Sequence, residues 1–185
     1  PAKAQRAVWA AGVALPGIPF IYYGQERAIS RYGEGRHRGE GDSRGIRDGE
    51  IVPRTDVRPG GRQRAFMNWA EYDSDHLSFY RTLIELYHRL DVLGSEATLE
   101  PIETDSRTLA TAFVRDVTHK SGVTGPERVL VVLNFEDDAV QLSVPAGVDE
   151  TNLVTVASDE SGTLSVDTVG VFPLETAIDY DAVGF

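Results

Sequence analysis

The sequence predicts an α/β segment over residues 1–94, followed by an antiparallel β-sandwich over residues 95–185. In the first part, helix-like and strand-like runs of apolar residues follow one another, as they do in α/β proteins. Beyond Gly94 the pattern changes to short runs in which apolar and polar residues alternate, with turn residues between them at regular spacing. Such a pattern is typical of antiparallel sandwiches. The change of period near residue 94 therefore marks the predicted domain boundary.

The first predicted elements are a helix over residues 1–15 and a buried strand over residues 18–23. Apolar residues recur at helical spacing in the helix, and Pro1 suits its first turn. Pro16 and Gly17 are expected to stop it. The strand, IPFIYY, is a nearly continuous run of apolar, β-branched and aromatic residues, which a strand covered on both faces requires. A helix, a short breaker and a buried strand make half of a barrel repeat, and such a strand needs a neighbour at each edge.

A long loop is predicted over residues 24–73, which are rich in glycine and arginine and show little periodicity. Loops of this length inside a compact domain tend to be functional or disordered. For residues 30–60 two interpretations stay open, the rim of a binding cleft and a flexible insertion.

The next predicted element is an amphipathic helix that ends at Gly94, with Asp73 or Ser74 as its capping residue. Its apolar stripe is interpreted as core packing and comprises Leu77, Tyr80, Leu83, Ile84, Tyr87 and Leu90. Seven strand segments are predicted after this helix, at residues 97–102, 108–115, 128–135, 139–144, 152–157, 163–166 and 169–180, the last with a break near Pro173.

Several of these segments resemble the α-amylase family of glycoside hydrolases. GIPFIYYGQE, residues 17–26, resembles the eighth barrel strand of that family. RAFMNW, residues 64–69, is similar to the Arg-x-Pro-Met-x-Trp or Arg-x-Pro-Phe-x-Trp segment of the family, without its proline. FYRTLIELYHRL, residues 79–90, continues the pattern, and RVLVVLNF, residues 128–135, looks like the C-terminal β-sandwich called domain C. The resemblance covers nearly the whole chain.

The resemblance implies that residues 1–94 are the α7-β8-α8 fragment of a TIM-type (β/α)8 barrel and that residues 95–185 are domain C. It also implies a truncated retaining glycosidase acting on α-glucosidic bonds, because the three catalytic carboxylates of the family lie on loops after the fourth, fifth and seventh strands. All three would lie upstream of Pro1, so the isolated chain is expected to be inactive. The implied partners are a missing N-terminal barrel portion and an α-glucan or oligosaccharide that binds the complete enzyme. Hydrolase, transglycosylase and isomerase activities stay open.

Glu26 is the candidate for chemistry that the residues themselves suggest. It follows a predicted barrel strand, at the end of the barrel where active-site loops arise. Glycoside hydrolysis needs two carboxyl groups across the scissile bond, and no second one is fixed beside Glu26. We therefore expect no catalytic residue in this chain. Tyr23, Gln25 and Glu26 are expected to support the substrate cleft by hydrogen bonding.

Composition excludes several classes of site. The absence of cysteine excludes disulfides, thiolate metal sites and cysteine nucleophiles. His37, His76, His88 and His119 are dispersed, so no metal site or cofactor is expected, although calcium stays open for the complete enzyme. No apolar run approaches the roughly 20 residues of a membrane helix, so no membrane partner is expected. The sequence carries no targeting information, and the location is left open.

Charge is unevenly distributed along the chain. Residues 1–70 hold 12 Lys+Arg and 7 Asp+Glu, whereas residues 71–185 hold 6 and 22, which gives the overall charge of −11. Acids interleave with the arginines of residues 27–64, and with this net charge no nucleic-acid partner is expected. Many acids and only two lysines favour a halophilic source, since concentrated salt screens the repulsion between like charges. An ordinary acidic protein is the alternative.

Two other functional hypotheses stay open. The chain could be a stand-alone carbohydrate-binding or assembly module, in which the sandwich is the working part. It could also pair with a separately encoded N-terminal barrel piece.

Overall fold

A computed structural model describes residues 2–22, 24–27, 44–47, 50–53, 74–104, 108–143, 146–154 and 163–184. The described part is mostly antiparallel sheet with few helices. The chain divides into two compact units, one formed by Pro1–Phe20 and Ser78–Phe185, the other by Ile21–Leu77. The domain boundary near residue 94 stays a prediction.

The regular elements have the following bounds. The helices are α1, Ala2–Ala14, and α2, Ser74–Arg89. The strands are β1, Arg44–Arg47; β2, Glu50–Pro53; β3, Thr98–Ile102; β4, Ala110–Asp116; β5, Arg128–Asn134; β6, Val140–Ser143; β7, Thr163–Val166; and β8, Val169–Pro173. Short 3-10 turns lie at Gln25–Arg27, Asp91–Leu93 and Tyr180–Ala182.

Both predicted helices are present, but α2 ends at Arg89 rather than at the predicted Gly94, and Asp91–Leu93 form a separate 3-10 turn. Helix α1 ends at Ala14, just before the predicted breaker. Tyr80 and Leu83 of the predicted stripe are buried on α2, together with Leu86, which the predicted stripe does not include, and Leu90 is buried just beyond the end of the helix. The predicted cap Asp73 lies outside the described residues. The helical period of a buried stripe is a local pattern, which is why the sequence alone predicts it well.

Antiparallel strands follow residue 94, as predicted. A four-stranded sheet has the order β3-β4-β5-β8, and β6 pairs with β7 in a second sheet. One face of the larger sheet shares a core with the smaller sheet. This core comprises Ile102, Ala112, Val114, Leu130, Val132, Leu142, Leu164, Val166, Phe172, Leu174 and Val183. Alternate residues of β4 and β5 therefore point into a layer between two sheets.

The other face of the larger sheet packs against helix α1. Phe113, Val131 and Val171 lie side by side on this face, as the strand register requires. Helix α1 contacts β5, and Trp9 of α1 stacks on Tyr80 of α2 with ring centroids 5.0 Å apart. Because β5 is buried on both faces, its sequence is a continuous apolar run rather than an alternating one.

The buried strand predicted over residues 18–23 is wrong for the described residues 18–22. These residues are not part of a strand, and Ile18 and Phe20 are 89% and 80% exposed. A strand is stabilised by hydrogen bonds to neighbours on its edges, and no described strand pairs with this run. The apolar run is therefore exposed to solvent.

Three further predictions need correction. The predicted loop over residues 24–73 contains the hairpin β1–β2, in which Arg47 pairs with Glu50. Of the strand predicted at residues 152–157, residues 152–154 are irregular, and the rest lies outside the described residues. Here the Val171 N–H of β8 donates a hydrogen bond to the Asn152 side chain, where strand pairing would require a backbone carbonyl. The last strand ends at Pro173 and does not continue to residue 180.

Candidate functional site: a side-chain-supported turn at Gln25 and Glu26

Two of the three predicted site residues lie on one short turn. The Gln25 N–H donates to the Tyr22 carbonyl at 3.1 Å, and the Tyr22 N–H donates to the Gln25 side-chain oxygen at 2.8 Å. Gly24, between them, has a φ of +89°, in the left-handed region that favours glycine. The backbone and side chain of Gln25 thus close a tight turn onto Tyr22.

The Glu26 carboxylate is also used within this turn. Its Oε2 atom accepts a hydrogen bond from the Gly24 N–H at 2.9 Å, and the residue is half-buried. A carboxylate that accepts a backbone hydrogen bond fixes the loop that carries it. One carboxylate of this kind can support a site, but hydrolysis of a glycoside requires a second one.

A buried histidine, His76, contacts the same turn from the start of α2. The His76 side chain is 0% exposed, and its Nε2 atom lies 2.8 Å from the Gln25 carbonyl oxygen. A carbonyl oxygen can only accept a hydrogen bond, so Nε2 must carry the proton. Sequence reasoning considered His76 only as a metal ligand and missed this contact. No local signal could have found it, because the two residues are 51 positions apart.

The remaining candidates are not brought together by the described structure. Tyr23, the third predicted site residue, lies outside the described residues. Within the described ranges, no group of three or more histidine and carboxylate side chains could hold a metal ion. Neither do the helices of those ranges include one with the length and apolar content for crossing a membrane. The role of Tyr23, Gln25 and Glu26 as support for a cleft stays a prediction.

Two polar pairs lie on the larger sheet: Arg128 of β5 pairs with Asp116 of β4, and Tyr180 of the last 3-10 turn donates a hydrogen bond to Glu100 of β3. Burial opposes ionisation of Asp116, but hydrogen bonds from Arg128 and Thr118 outweigh it and lower the pKa of that carboxyl. Burial, together with a hydrogen bond to Glu100, raises the pKa of Tyr180 from 10.0 to about 12. These groups are bound to protein partners, so we assign them a structural role.

The fold matches that of part of several α-amylase-family enzymes. A pullulanase from Anoxybacillus sp. LM18-11 complexed with maltotetraose superposes with a TM-score of 0.60 at 14% identity, over 92% of this chain and 23% of its own. A maltogenic amylase from S. marinus gives a TM-score of 0.56 at 16% identity, over 94% of this chain and 20% of its own. Isomaltulose synthase from Erwinia rhapontici NX5 gives 0.57 at 14% identity, over 94% and 38%.

The sequence supports the same family. The chain is 28% identical over 182 residues to the α-amylase MalA of Haloarcula japonica. This match covers 94% of the chain, which spans only 22% of that relative. No protein-family model matches the sequence. The resemblance to the α-amylase family of glycosidases, first indicated by residues 17–26 and 128–135, is thus confirmed over nearly the whole chain.

Proposed function

We propose that this chain is the C-terminal part of an α-amylase-type glycosidase acting on α-glucosidic bonds, and that it is inactive without the rest of a (β/α)8 barrel. In this proposal residues 1–94 supply the last helices and strand of the barrel, and residues 95–185 are domain C. The catalytic carboxylates lie in the barrel portion that these 185 residues do not contain. The observation that carries the proposal is the match to MalA, which covers 94% of the chain but 22% of the relative.

The exposed apolar run supports the incomplete barrel. Ile18 and Phe20 are among the most exposed large apolar side chains described, although their sequence is that of a strand covered on both faces. Burying a side chain of this size is worth about 1.5–3 kcal/mol. Neighbouring strands at both edges would bury these side chains and hydrogen-bond their backbone, which is the arrangement the proposal assigns to this run.

The turn that follows this run is proposed to support the substrate cleft. In a barrel it would lie at the carboxyl end of the strand, where substrates bind. Glu26 would act by holding the turn through the Gly24 N–H, and His76 by binding the Gln25 carbonyl. Neither side chain is proposed to touch the scissile bond.

Maltotetraose is the proposed test substrate, because an α-amylase-family pullulanase with this fold binds it. Three samples are needed: the purified chain, MalA truncated before its matched region, and a chimera in which this chain replaces that region. We expect cleavage by the chimera alone. Cleavage by the purified 185-residue chain, lost in Glu26→Gln, would contradict the proposal, as would a folded chimera without activity.

The same chimera tests the supporting turn. Glu26→Gln keeps the size of the side chain but weakens its acceptor, so turnover should fall without being abolished. Unchanged turnover with Glu26→Ala would remove the supporting role.

A titration of residues 95–185 with cyclodextrin serves as a control for the stand-alone module. We expect no binding, and saturable binding would favour the module instead.

A further inference from the structure

Arg115, on β4, is a fully buried cation. Its side chain is 0% exposed, and among the described residues no carboxylate forms an ion pair with it. Burying a charge is costly unless hydrogen bonds satisfy it. Burial lowers the pKa of Arg115 below its ordinary value, but a guanidinium stays protonated at any working pH. Its partners must therefore explain why the charge is tolerated.

Four backbone carbonyls receive the guanidinium. Nη1 donates to the Ala14 carbonyl. Nη2 donates to the carbonyls of Gly94 at 2.6 Å and Ala97 at 3.3 Å, and Nε donates to that of Thr98 at 3.2 Å. The planar fork of arginine presents five donors in fixed directions, so it can bind several carbonyls at once.

The Ala14 carbonyl has a particular significance because it belongs to the last residue of α1. The last four carbonyls of a helix lack partners within the helix and carry its partial negative charge. A buried cation at this position donates a hydrogen bond to one of these carbonyls and also offsets the partial negative charge of the helix end. Of the other three carbonyls, those of Gly94 and Ala97 belong to the connection that leads from α2 into β3, and that of Thr98 belongs to the first residue of β3.

We propose that Arg115 is a tertiary cap that locks the end of α1 and the α2–β3 connection to the sheet, so that the three open and close together. By holding the Ala14 carbonyl, Arg115 also fixes the position of the chain shortly before the exposed residues Ile18 and Phe20. This inference concerns the isolated chain and does not depend on the proposed function.

The opposite end of α1 provides a matched control. Lys3 donates to the Asp137 carbonyl at 2.7 Å and pairs with Asp167 at 3.2 Å, with the Asp167 side chain 74% exposed. Surface ion pairs of this kind contribute little. Lys3→Met should therefore leave the coupling between α1 and the sheet nearly unchanged, whereas Arg115→Met should break it.

Amide hydrogen exchange of the full chain measures this coupling. The quantity is the ratio of the exchange rate in the last turn of α1, at Ala14 and Leu15, to that at Val131 in β5. We expect the ratio to rise at least tenfold in Arg115→Met, by an intermediate amount in Arg115→Lys, and less than twofold in Lys3→Met. An unchanged ratio in Arg115→Met, with all rates rising together, would overturn the cap. A wild-type ratio in Arg115→Lys would overturn the need for the arginine fork.

A measurement on the wild-type chain keeps the proposal testable if Arg115→Met does not fold. A guanidinium held by four carbonyls rotates slowly, so its Nη–H groups should give separate nitrogen-correlated NMR signals. An exposed arginine such as Arg81 should give averaged signals. Averaged signals for Arg115 would contradict the cap.

Discussion

Gly170 is the position where the packing of the two sheets is most open to test. Gly170 and Phe172 are two residues apart on β8, so they point to the same face. A methyl group at residue 170 would overlap the Phe172 ring, lying 2.7 Å from its Cζ atom, and would lie 3.1 Å from the Val166 side chain. The Phe172 ring is 1% exposed and belongs to the shared core, so it has no free space to move into.

The expected cost follows from this geometry. Carbon atoms in contact prefer about 3.5–4.0 Å, so the ring must move by roughly 1 Å to admit the methyl group. Overpacking of a filled core costs about 1–3 kcal/mol. We therefore expect Gly170→Ala to lower the free energy of unfolding by about 2 kcal/mol. Replacing the ring as well, in Gly170→Ala/Phe172→Leu, should make room, so the alanine should cost at least about 1 kcal/mol less in that background.

Urea unfolding followed by circular dichroism measures these differences, and an unchanged m value shows that the denatured state is unaffected. The four chains of the double-mutant cycle are wild type, the two single variants and the double variant. Gly170→Ala within about 0.5 kcal/mol of wild type, or the same alanine cost with and without the Phe172 ring, would refute the packing described for this core.

Three further outcomes are expected. Gly12→Ala on α1, where no atom lies within 4 Å of the added methyl group, should stabilise the chain by about 0.5–1 kcal/mol in the same assay, and destabilisation would contradict the open environment. Because the folded-state pKa of Tyr180 is raised from 10.0 to about 12, its contribution is complete below pH 10 and is lost as the pH rises towards 12. Wild type should therefore lose stability relative to Tyr180→Phe over that interval, and parallel pH profiles would contradict the shift. The thermal unfolding midpoint should rise from low to multimolar salt, and a constant midpoint would contradict the halophilic interpretation.

The parts of the fold that the sequence predicts well are set by local patterns. Helix α2 has an apolar stripe, and β5 is a continuous apolar run. In each case the local sequence pattern indicates which residues are buried. The hairpin β1–β2 was within reach of the same reasoning, since Asp48-Gly49 is a dipeptide preferred in two-residue hairpin connections. The prediction of a loop over residues 24–73 did not take this dipeptide into account.

The parts that the sequence alone does not predict depend on contacts between distant residues. The run at residues 18–22 has the composition of a buried strand. Whether it forms one depends on neighbouring strands, which its composition does not reveal. The contact between His76 and the Gln25 carbonyl, and that between Arg115 and the Ala14 carbonyl, join positions 51 and 101 residues apart. By contrast, the hydrogen bond from the Gly24 N–H to Glu26 is local, because it joins residues two positions apart.

The most direct test of the incomplete barrel is the protection of the run at residues 18–22, measured by amide hydrogen exchange at Ile18, Phe20 and Ile21. In the isolated chain these amides should exchange at nearly the rate of an unstructured peptide. In the active chimera with MalA they should be protected at least a hundredfold, as expected for a strand paired at both edges. An active chimera in which these amides remain unprotected would contradict the account.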